Sequence, residues 1–253
     1  MPRLTLLGSA ATIANRGHDS IYLLLQYSGG ELLIDCGGSP SYKLAQLGTD
    51  PGQLDGVLLT HDHSDHIYGF PLLVQTLMLL NWAGQWSKEL VVWGLPETLG
   101  TARELLRLFE LTDRIPIDWR PLSAAGSELV LETQDLRILC APVQHSRPTV
   151  GLRIEGKSSG LSLVYSSDTE PCPSLRTLAQ SADILLHEAT VMAPMPGHST
   201  PTQAGEIAAA AQVRRLVLVH FDPAQNQEIM LAEAAIAFGG PVEMGQDWMT
   251  FEF

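Results

Sequence analysis

The most chemically distinctive segment of the chain spans residues 61–66 and reads His-Asp-His-Ser-Asp-His. It places three imidazoles and at least one carboxylate within six residues of a stretch that is too polar to be core. Imidazole nitrogens and carboxylate oxygens together form a borderline-soft ligand set that suits Zn²⁺ better than Ca²⁺ or Mg²⁺. The segment therefore predicts a metal site, against the alternative interpretation of a solvated polar loop.

Three more residues of the metal-binding kind each stand at the end of a predicted apolar strand: His145, Asp168 and His220. Ligands belong at strand ends when a sheet presents a site at one rim. Taken one at a time, each could be an ordinary turn residue. Together with the segment 61–66, they predict a single functional site built from distant parts of the chain.

Predicted strands and helices alternate along the chain without an obvious linker. Twelve strands are predicted at residues 4–7, 20–27, 31–35, 57–60, 90–93, 115–119, 128–131, 136–142, 150–154, 161–166, 184–187 and 216–220. Five helices are predicted at residues 69–82, 97–111, 173–181, 202–212 and 224–238. Glycine-containing turns at residues 28–30 and 156–160 predict two hairpins. This mixture favours one layered α/β domain spanning residues 1–253.

The composition is acidic, with 15 basic and 28 acidic residues and a formal net charge of −13. Such a charge repels phosphate backbones at long range, so any nucleic-acid substrate must be held by a local basic patch. The three cysteines lack the spacing of metal-binding pairs, and residues 1–4 open directly into a strand without a signal-peptide pattern. We expect reduced, mostly buried cysteines and a cytoplasmic protein.

One long apolar run occupies residues 70–80 and is followed by Trp82 and Trp86. It is too short and too interrupted to span a bilayer, so no membrane association is expected. A helix that is apolar all round is more often buried than amphipathic. We expect most of this helix in the core, with part of it and the two tryptophans covering a partner subunit in a homodimer.

The pattern His-x-His-x-Asp-His, followed by isolated His, Asp and His, resembles the metal signature of the metallo-β-lactamase fold superfamily over nearly the whole chain. The resemblance implies an αββα sandwich: two mixed β-sheets flanked by helices, with two metals at the rim where the sheets meet. It implies a first metal held by His61, His63 and His145. It implies a second metal held by Asp65, His66 and His220, with Asp168 bridging the two.

Two Zn²⁺ ions, or Mn²⁺ in their place, can share a hydroxide near neutral pH and neutralise charge on an oxyanion. Asp65 could orient that hydroxide with its free oxygen. Esters, amides, thioesters and phosphodiesters are all substrates for such a centre. The seven ligands alone do not choose among them.

Two further motifs bear on the substrate: residues 187–190 read His-Glu-Ala-Thr, and residues 197–201 read Gly-His-Ser-Thr-Pro. They resemble motifs of ribonuclease Z, the branch of the superfamily that processes tRNA 3′ ends. The resemblance implies that His198 donates a proton to a leaving alkoxide while Glu188 fixes its tautomer. The alternative for His198 is a solvent-facing loop histidine.

The chain also departs from ribonuclease Z. Only residues 146–167 separate His145 from Asp168, and they read as one hairpin without the long basic arm that clamps tRNA. His220 is followed by Phe-Asp-Pro instead of a Ser-Arg-Tyr type of continuation. Arg147 and Arg16 are the local cations that could cradle a phosphate, although both could be ordinary solvated arginines.

The resulting hypothesis is a zinc-dependent, ribonuclease Z-like phosphodiesterase without an arm, acting on RNA ends or on small or cyclic phosphodiesters. One alternative is an ester, lactone or thioester hydrolase, which needs the same metal ligands but not the two motifs around Glu188 and His198. A second alternative is a non-catalytic metal-binding protein of the same fold.

Overall fold

The computed structural model describes residues 1–253 and contains two seven-stranded sheets. The first sheet consists of β1 (Arg3–Gly8), β2 (Tyr22–Tyr27), β3 (Gly30–Ile34), β4 (Leu54–Leu58), β5 (Leu90–Gly94), β6 (Ile117–Pro121) and β14 (Thr250–Glu252). The second consists of β7 (Glu128–Glu132), β8 (Leu136–Val143), β9 (Thr149–Gly156), β10 (Ser162–Tyr165), β11 (Ile184–Glu188), β12 (Arg215–Val219) and β13 (Val242–Met244). Their orders are β14-β1-β2-β3-β4-β5-β6 and β13-β12-β11-β10-β9-β8-β7.

Seven helices connect and cover these strands: α1 (Pro40–Gln46), α2 (Ser64–Ile67), α3 (Phe70–Trp82), α4 (Pro96–Leu108), α5 (Pro173–Leu178), α6 (Pro201–Ala210) and α7 (Gln227–Phe238). None of the helices is long and apolar enough to cross a bilayer. The predicted hairpins are confirmed, since β2 pairs antiparallel with β3 and β9 pairs antiparallel with β10.

Three apolar clusters define the layers. One contains buried side chains of both sheets and fills the space between them. The second packs α1, α3 and α4 onto the outer face of the first sheet, and the third packs α5, α6 and α7 onto the outer face of the second. The predicted αββα sandwich is therefore confirmed.

The topology explains why chemically useful residues collect at one edge. Strands β10, β11 and β12 run parallel, and β8 runs in the same direction because β9 is antiparallel to both β8 and β10. Parallel strands present their carboxyl ends at the same edge of a sheet. The residues that follow these four strands therefore meet at one rim.

The apolar run at residues 70–80 follows the metal segment, as we call residues 61–66, and its burial agrees only partly with the prediction. Most of α3 is buried, and Trp82 is 67% exposed as a subunit contact would require. Trp86, however, is only 3% exposed and packs in the core beneath α3 and α4, so the expectation that it covers a partner is wrong. The physical reason is the turn at Gly84 (φ 70°), which directs the chain back onto the sheet.

The start of α6 carries a complete capping box, and it gives a stability prediction. The Thr200 side chain accepts a hydrogen bond from the Gln203 amide, while the Gln203 side chain accepts one from the Thr200 amide. Loss of such a cap typically costs about 1 kcal/mol. We expect Thr200→Ala to lower the free energy of unfolding by about that amount. Thr202→Ala in the same helix removes no cap, and a urea titration showing equal losses in both variants would refute the assignment.

Candidate metal and catalytic site

The predicted ligands form two facing groups at the sandwich rim. In the first, one donor atom from each of four residues lies within 4.8 Å of the others: His61, His63, His145 and Asp168. The second group contains Asp65, His66 and His220 at the same mutual distances. All seven predicted ligands are thus brought together, from the loop after β4 and the ends of β8, β10 and β12.

Hydrogen bonds fix the ring nitrogens of the second group. The Nδ1–H of His66 donates to Asp35 Oδ2 at 2.9 Å, and that of His220 donates to Thr190 Oγ1 at 2.8 Å. The two Nε2 atoms face each other at 3.3 Å, and in the neutral rings they carry the lone pairs that could bind a cation. A divalent metal ion between them fits this arrangement.

The electrostatics of His66 support the same conclusion. Burial disfavours a charged ring, but the carboxylates of Asp168 and Asp35 outweigh burial and raise the pKa of His66 well above its usual range. The negative charge of these two carboxylates also favours a metal cation at this place.

The first group is built in the same way. The Nδ1–H of His145 donates to the backbone oxygen of Gly197 at 2.6 Å, which leaves its Nε2 free at 3.0 Å from His63 Nδ1. The Nε2 atom of His61 is buried and has no hydrogen-bond partner. Burial and the neighbouring imidazole of His66 lower the pKa of His61 well below its usual range, so this ring is neutral, as a metal ligand must be.

Asp168 lies between the two groups. Its Oδ1 is 3.3 Å from His66 Nε2 and 3.4 Å from His220 Nε2. Its Oδ2 is 3.8 Å from His61 Nε2 and 3.9 Å from His145 Nε2. Burial would raise the pKa of this carboxyl, but the surrounding imidazoles hold it well below its usual range. One oxygen facing each group is the arrangement that a bridging ligand needs.

Asp35, Thr12 and Thr190 belong to the site but were not predicted. Thr12 Oγ1 donates to Asp65 Oδ2 at 2.6 Å, and Asp35 and Thr190 orient two imidazoles. Asp35 had a detectable signal, because it is the last residue of a predicted strand, a position similar to that of Asp168. Asp35 (φ 62°) and His220 (φ 49°) share the left-handed backbone region, which non-glycine residues adopt infrequently.

The second predicted pair is also formed. His198 Nδ1 lies 3.0 Å from Glu188 Oε1, and Glu188 is fully buried at the end of β11. Burial lowers the pKa of His198, but the hydrogen bond and charge of Glu188 outweigh it, so the pKa is raised. The ring stacks on that of His220 at 6.0 Å between centroids. His198 thus lies beside the predicted metal ligands, and its ring nitrogen is close enough to Asp168 and His220 to be a potential ligand itself.

Glu188 also links the pair to the metal ligands. Its Oε1 accepts a second hydrogen bond from the Thr169 amide at 2.8 Å. Its Oε2 accepts from the Thr190 amide and hydroxyl at 3.1 and 2.7 Å. The same Thr190 hydroxyl accepts from His220, so one buried carboxylate orients both His198 and a predicted metal ligand.

An open cavity of about 490 Å³ lies over these residues, and ten of the twelve residues that line it are polar. Its walls include His63, Asp65, Asp168, His198 and His220. Neither predicted phosphate-binding arginine lines it. The Arg147 Nε atom is 3.8 Å from Asp62 Oδ1 on the metal segment, whereas Arg16 lines a separate cavity of about 610 Å³.

Known proteins resemble the chain along its whole length. The model of the beta-lactamase superfamily domain matches residues 31–221. A ribonuclease Z of Mycobacterium marinum is 31% identical over an alignment that covers 98% of the chain and 97% of the relative.

Solved structures share the fold. A metallo-beta-lactamase fold protein of Bacillus subtilis superimposes with a TM-score of 0.85 at 22% identity, covering 100% of the chain and 99% of that protein. The short form of human tRNase Z gives a TM-score of 0.77 at 22% identity, covering 99% of the chain and 98% of that protein.

Proposed function

The chain belongs to the beta-lactamase superfamily and, within it, to the ribonuclease Z family, and from this membership we propose that it is a metal-dependent phosphodiesterase. The single observation that carries the reaction type is the pair His198–Glu188 in the wall of the cavity above the metal ligands. A proton donor beside the metal ligands suits a reaction that expels an alkoxide.

Two Zn²⁺ ions, or Mn²⁺, fit the two ligand groups, with Asp168 shared between them. When bound, such ions lower the pKa of water and neutralise charge on a phosphoryl oxygen. Asp65, held by the hydroxyl of Thr12, is placed to orient the attacking water. His198 donates its Nε2 proton to the leaving oxygen while Glu188 holds the opposite ring nitrogen.

Arg147 is the cation that we propose as a phosphate contact at the rim. Its guanidinium is exposed and only loosely paired with Asp62, so it is free to turn toward an incoming phosphate. Arg16 lies in the neighbouring cavity and can contact only a substrate that extends beyond the metal site. All three cysteines are buried and unpaired, which suits the cytoplasmic location we propose.

The assay that tests the function compares three substrates with protein loaded with divalent metal: bis(p-nitrophenyl) phosphate, a thioester and a lactone. We expect turnover of the phosphodiester in preference to the other two, and its loss on addition of a chelator. Faster hydrolysis of the thioester or the lactone would instead assign a carboxylic acid derivative as the substrate. Turnover of none of the three would favour a non-catalytic metal-binding protein.

Intact tRNA should bind weakly, because the hairpin of β9 and β10 stands where a tRNA-binding arm would be inserted and the net charge is −13. Weak binding carried by electrostatic contacts to phosphates should fall as the salt concentration rises. We expect a filter-binding titration to give little retention at about 150 mM salt. Tight, salt-resistant retention would contradict this prediction, and small phosphodiesters should be cleaved in either case.

A homodimer through α3 is the assembly that we propose. Leu72, Leu79 and Trp82 are 47%, 52% and 67% exposed on this helix, which is more apolar surface than a solvated helix normally presents. We expect a dimer mass by light scattering at micromolar concentration, and a monomer mass for Trp82→Glu. Ile236→Glu on α7 is the matched control and should remain dimeric. A monomeric wild type would rule the proposal out.

A further inference from the structure

The loop between Thr190 and His198 has an unusual surface. Residues 192–196 read Met-Ala-Pro-Met-Pro, and all five are exposed. Met192 and Met195 are 39% and 48% exposed. A run of more than three exposed apolar residues is uncommon in a folded protein unless it binds something. We call this segment, residues 192–196, the apolar lip.

The apolar lip lies beside the catalytic cavity, between two of the residues that line it, although residues 192–196 do not line the cavity themselves. Thr190 before it and His198 after it both line the cavity. Its base is closed by a hydrogen bond from the Val191 amide to the Ser199 oxygen at 3.4 Å, and Ser199 Oγ donates to the Thr169 oxygen at 2.7 Å. The Gly197 oxygen accepts from His145 Nδ1. A loop anchored in this way, with two prolines in its tip, is preorganised for binding.

An apolar side chain on another loop stands in the cavity wall itself. Ile13 lines the cavity and is 63% exposed. Residues 12–15 and 191–197 contain no charged side chain, and Asp222 adds a carboxylate to the same cavity. A second phosphate placed here would meet no cation and one extra negative charge. An uncharged and at least partly apolar group suits this part of the site better than a second phosphate.

We propose that the apolar lip binds the nucleobase of the leaving nucleoside, the part of the substrate whose oxygen His198 protonates. The inference rests on the phosphodiesterase function proposed above. The leaving side is assigned because the lip runs directly into His198. A planar base suits a short, rigid tip of methionine and proline, since methionine sulfur contacts aromatic rings favourably. An acyl chain would need a longer groove than five residues provide.

A kinetic comparison tests the assignment. The substrates are a dinucleoside monophosphate and the same compound without the base on its leaving side. Contact with one base is commonly worth about tenfold in kcat/KM. We expect wild-type protein to prefer the complete substrate by about that factor, and the double variant Met192→Ser/Met195→Ser to lose the preference. Ile236→Ser, an exposed apolar residue on α7, should keep it.

Retention of the preference in the double variant would overturn the proposal, as would the absence of any preference in the wild type. Failure of the wild type to hydrolyse either compound would refute the phosphodiesterase function instead. A binding measurement that does not depend on catalysis distinguishes failure of the base-binding proposal from failure of the phosphodiesterase function.

That measurement follows the methyl signals of ¹³C-methyl-labelled methionine by NMR during titration with adenosine or ribose. The chain has seven methionines, and single Met192→Ser and Met195→Ser variants assign the two signals of interest. We expect adenosine, and not ribose, to shift these two signals through the ring current of the base. Equal shifts with ribose, or none with adenosine, would overturn the proposal. So would shifts that follow protein concentration alone, which would assign the lip to a subunit contact.

Discussion

Replacing Asp168 with alanine should remove both metal ions and lower the turnover of phosphodiesters by at least about 10³-fold. The reason is geometric, because one carboxylate oxygen faces each ligand group at 3.3 to 3.9 Å from its ring nitrogens. Without that carboxylate, the five ligand imidazoles and Asp65 provide less negative charge to hold two cations. The measurement is metal content by atomic emission after dialysis, together with kcat/KM on bis(p-nitrophenyl) phosphate.

Asp62→Asn is the matched control for this experiment. Asp62 lies between two predicted ligands in the sequence, yet its side chain accepts a hydrogen bond from Thr101 Oγ1 at 2.8 Å and belongs to neither ligand group. We expect this variant to retain both ions. An Asp168→Ala protein that still holds two ions would contradict the bridging role, and loss of metal from Asp62→Asn would show that the ligand assignment is wrong.

His198→Ala should lower kcat by about 10²–10⁴-fold on a substrate with an alkoxide leaving group, the usual contribution of a general acid. The hydrogen bond to Glu188 keeps the Nδ1 proton on the far side of the ring and raises the pKa of His198 despite its burial. A p-nitrophenolate leaving group needs no proton, so turnover of bis(p-nitrophenyl) phosphate should change far less. The measurement is kcat on both substrates.

Metal analysis of the same variant tests whether His198 is a metal ligand instead of a proton donor. The ring nitrogen of His198 lies within 4.8 Å of donor atoms of Asp168 and His220, so a direct bond to metal is geometrically possible. We expect unchanged metal content, since His198 is not among the proposed ligands. Equal losses on both substrates with metal retained would make His198 a structural residue, and loss of one ion would make it a ligand.

The metal segment and the strand-end residues could be predicted because their chemistry is encoded locally. A carboxylate or imidazole directly after an apolar strand has few structural reasons to be there, and the parallel strands β10, β11 and β12 bring such residues to one edge. The sandwich followed from the same alternation of strands and helices. His198 and Glu188 were predicted by resemblance, and their contact depends on tertiary structure.

The residues that escaped prediction act through contacts between distant segments. Thr12 reaches Asp65 across 53 positions and has no local pattern that could mark it. Thr190 belongs to the motif at residues 187–190, but its contact with His220, 30 positions away, has no local signal. The short strands β13 and β14 also depend on pairing with β12 and β1, because three residues carry too little periodicity to be recognised. Trp86 was misplaced because a turn at Gly84 decides its direction.

The measurement that tests the central claim most directly is a titration of metal-free protein with Zn²⁺ or Mn²⁺, with hydrolysis of a dinucleoside monophosphate as the readout. The claim is that two facing ligand groups hold a pair of metal ions on which phosphodiester cleavage depends. The account predicts no turnover without metal and a rate that reaches its plateau at about two equivalents per chain. A plateau at one equivalent, or a rate that does not respond to metal, would contradict it.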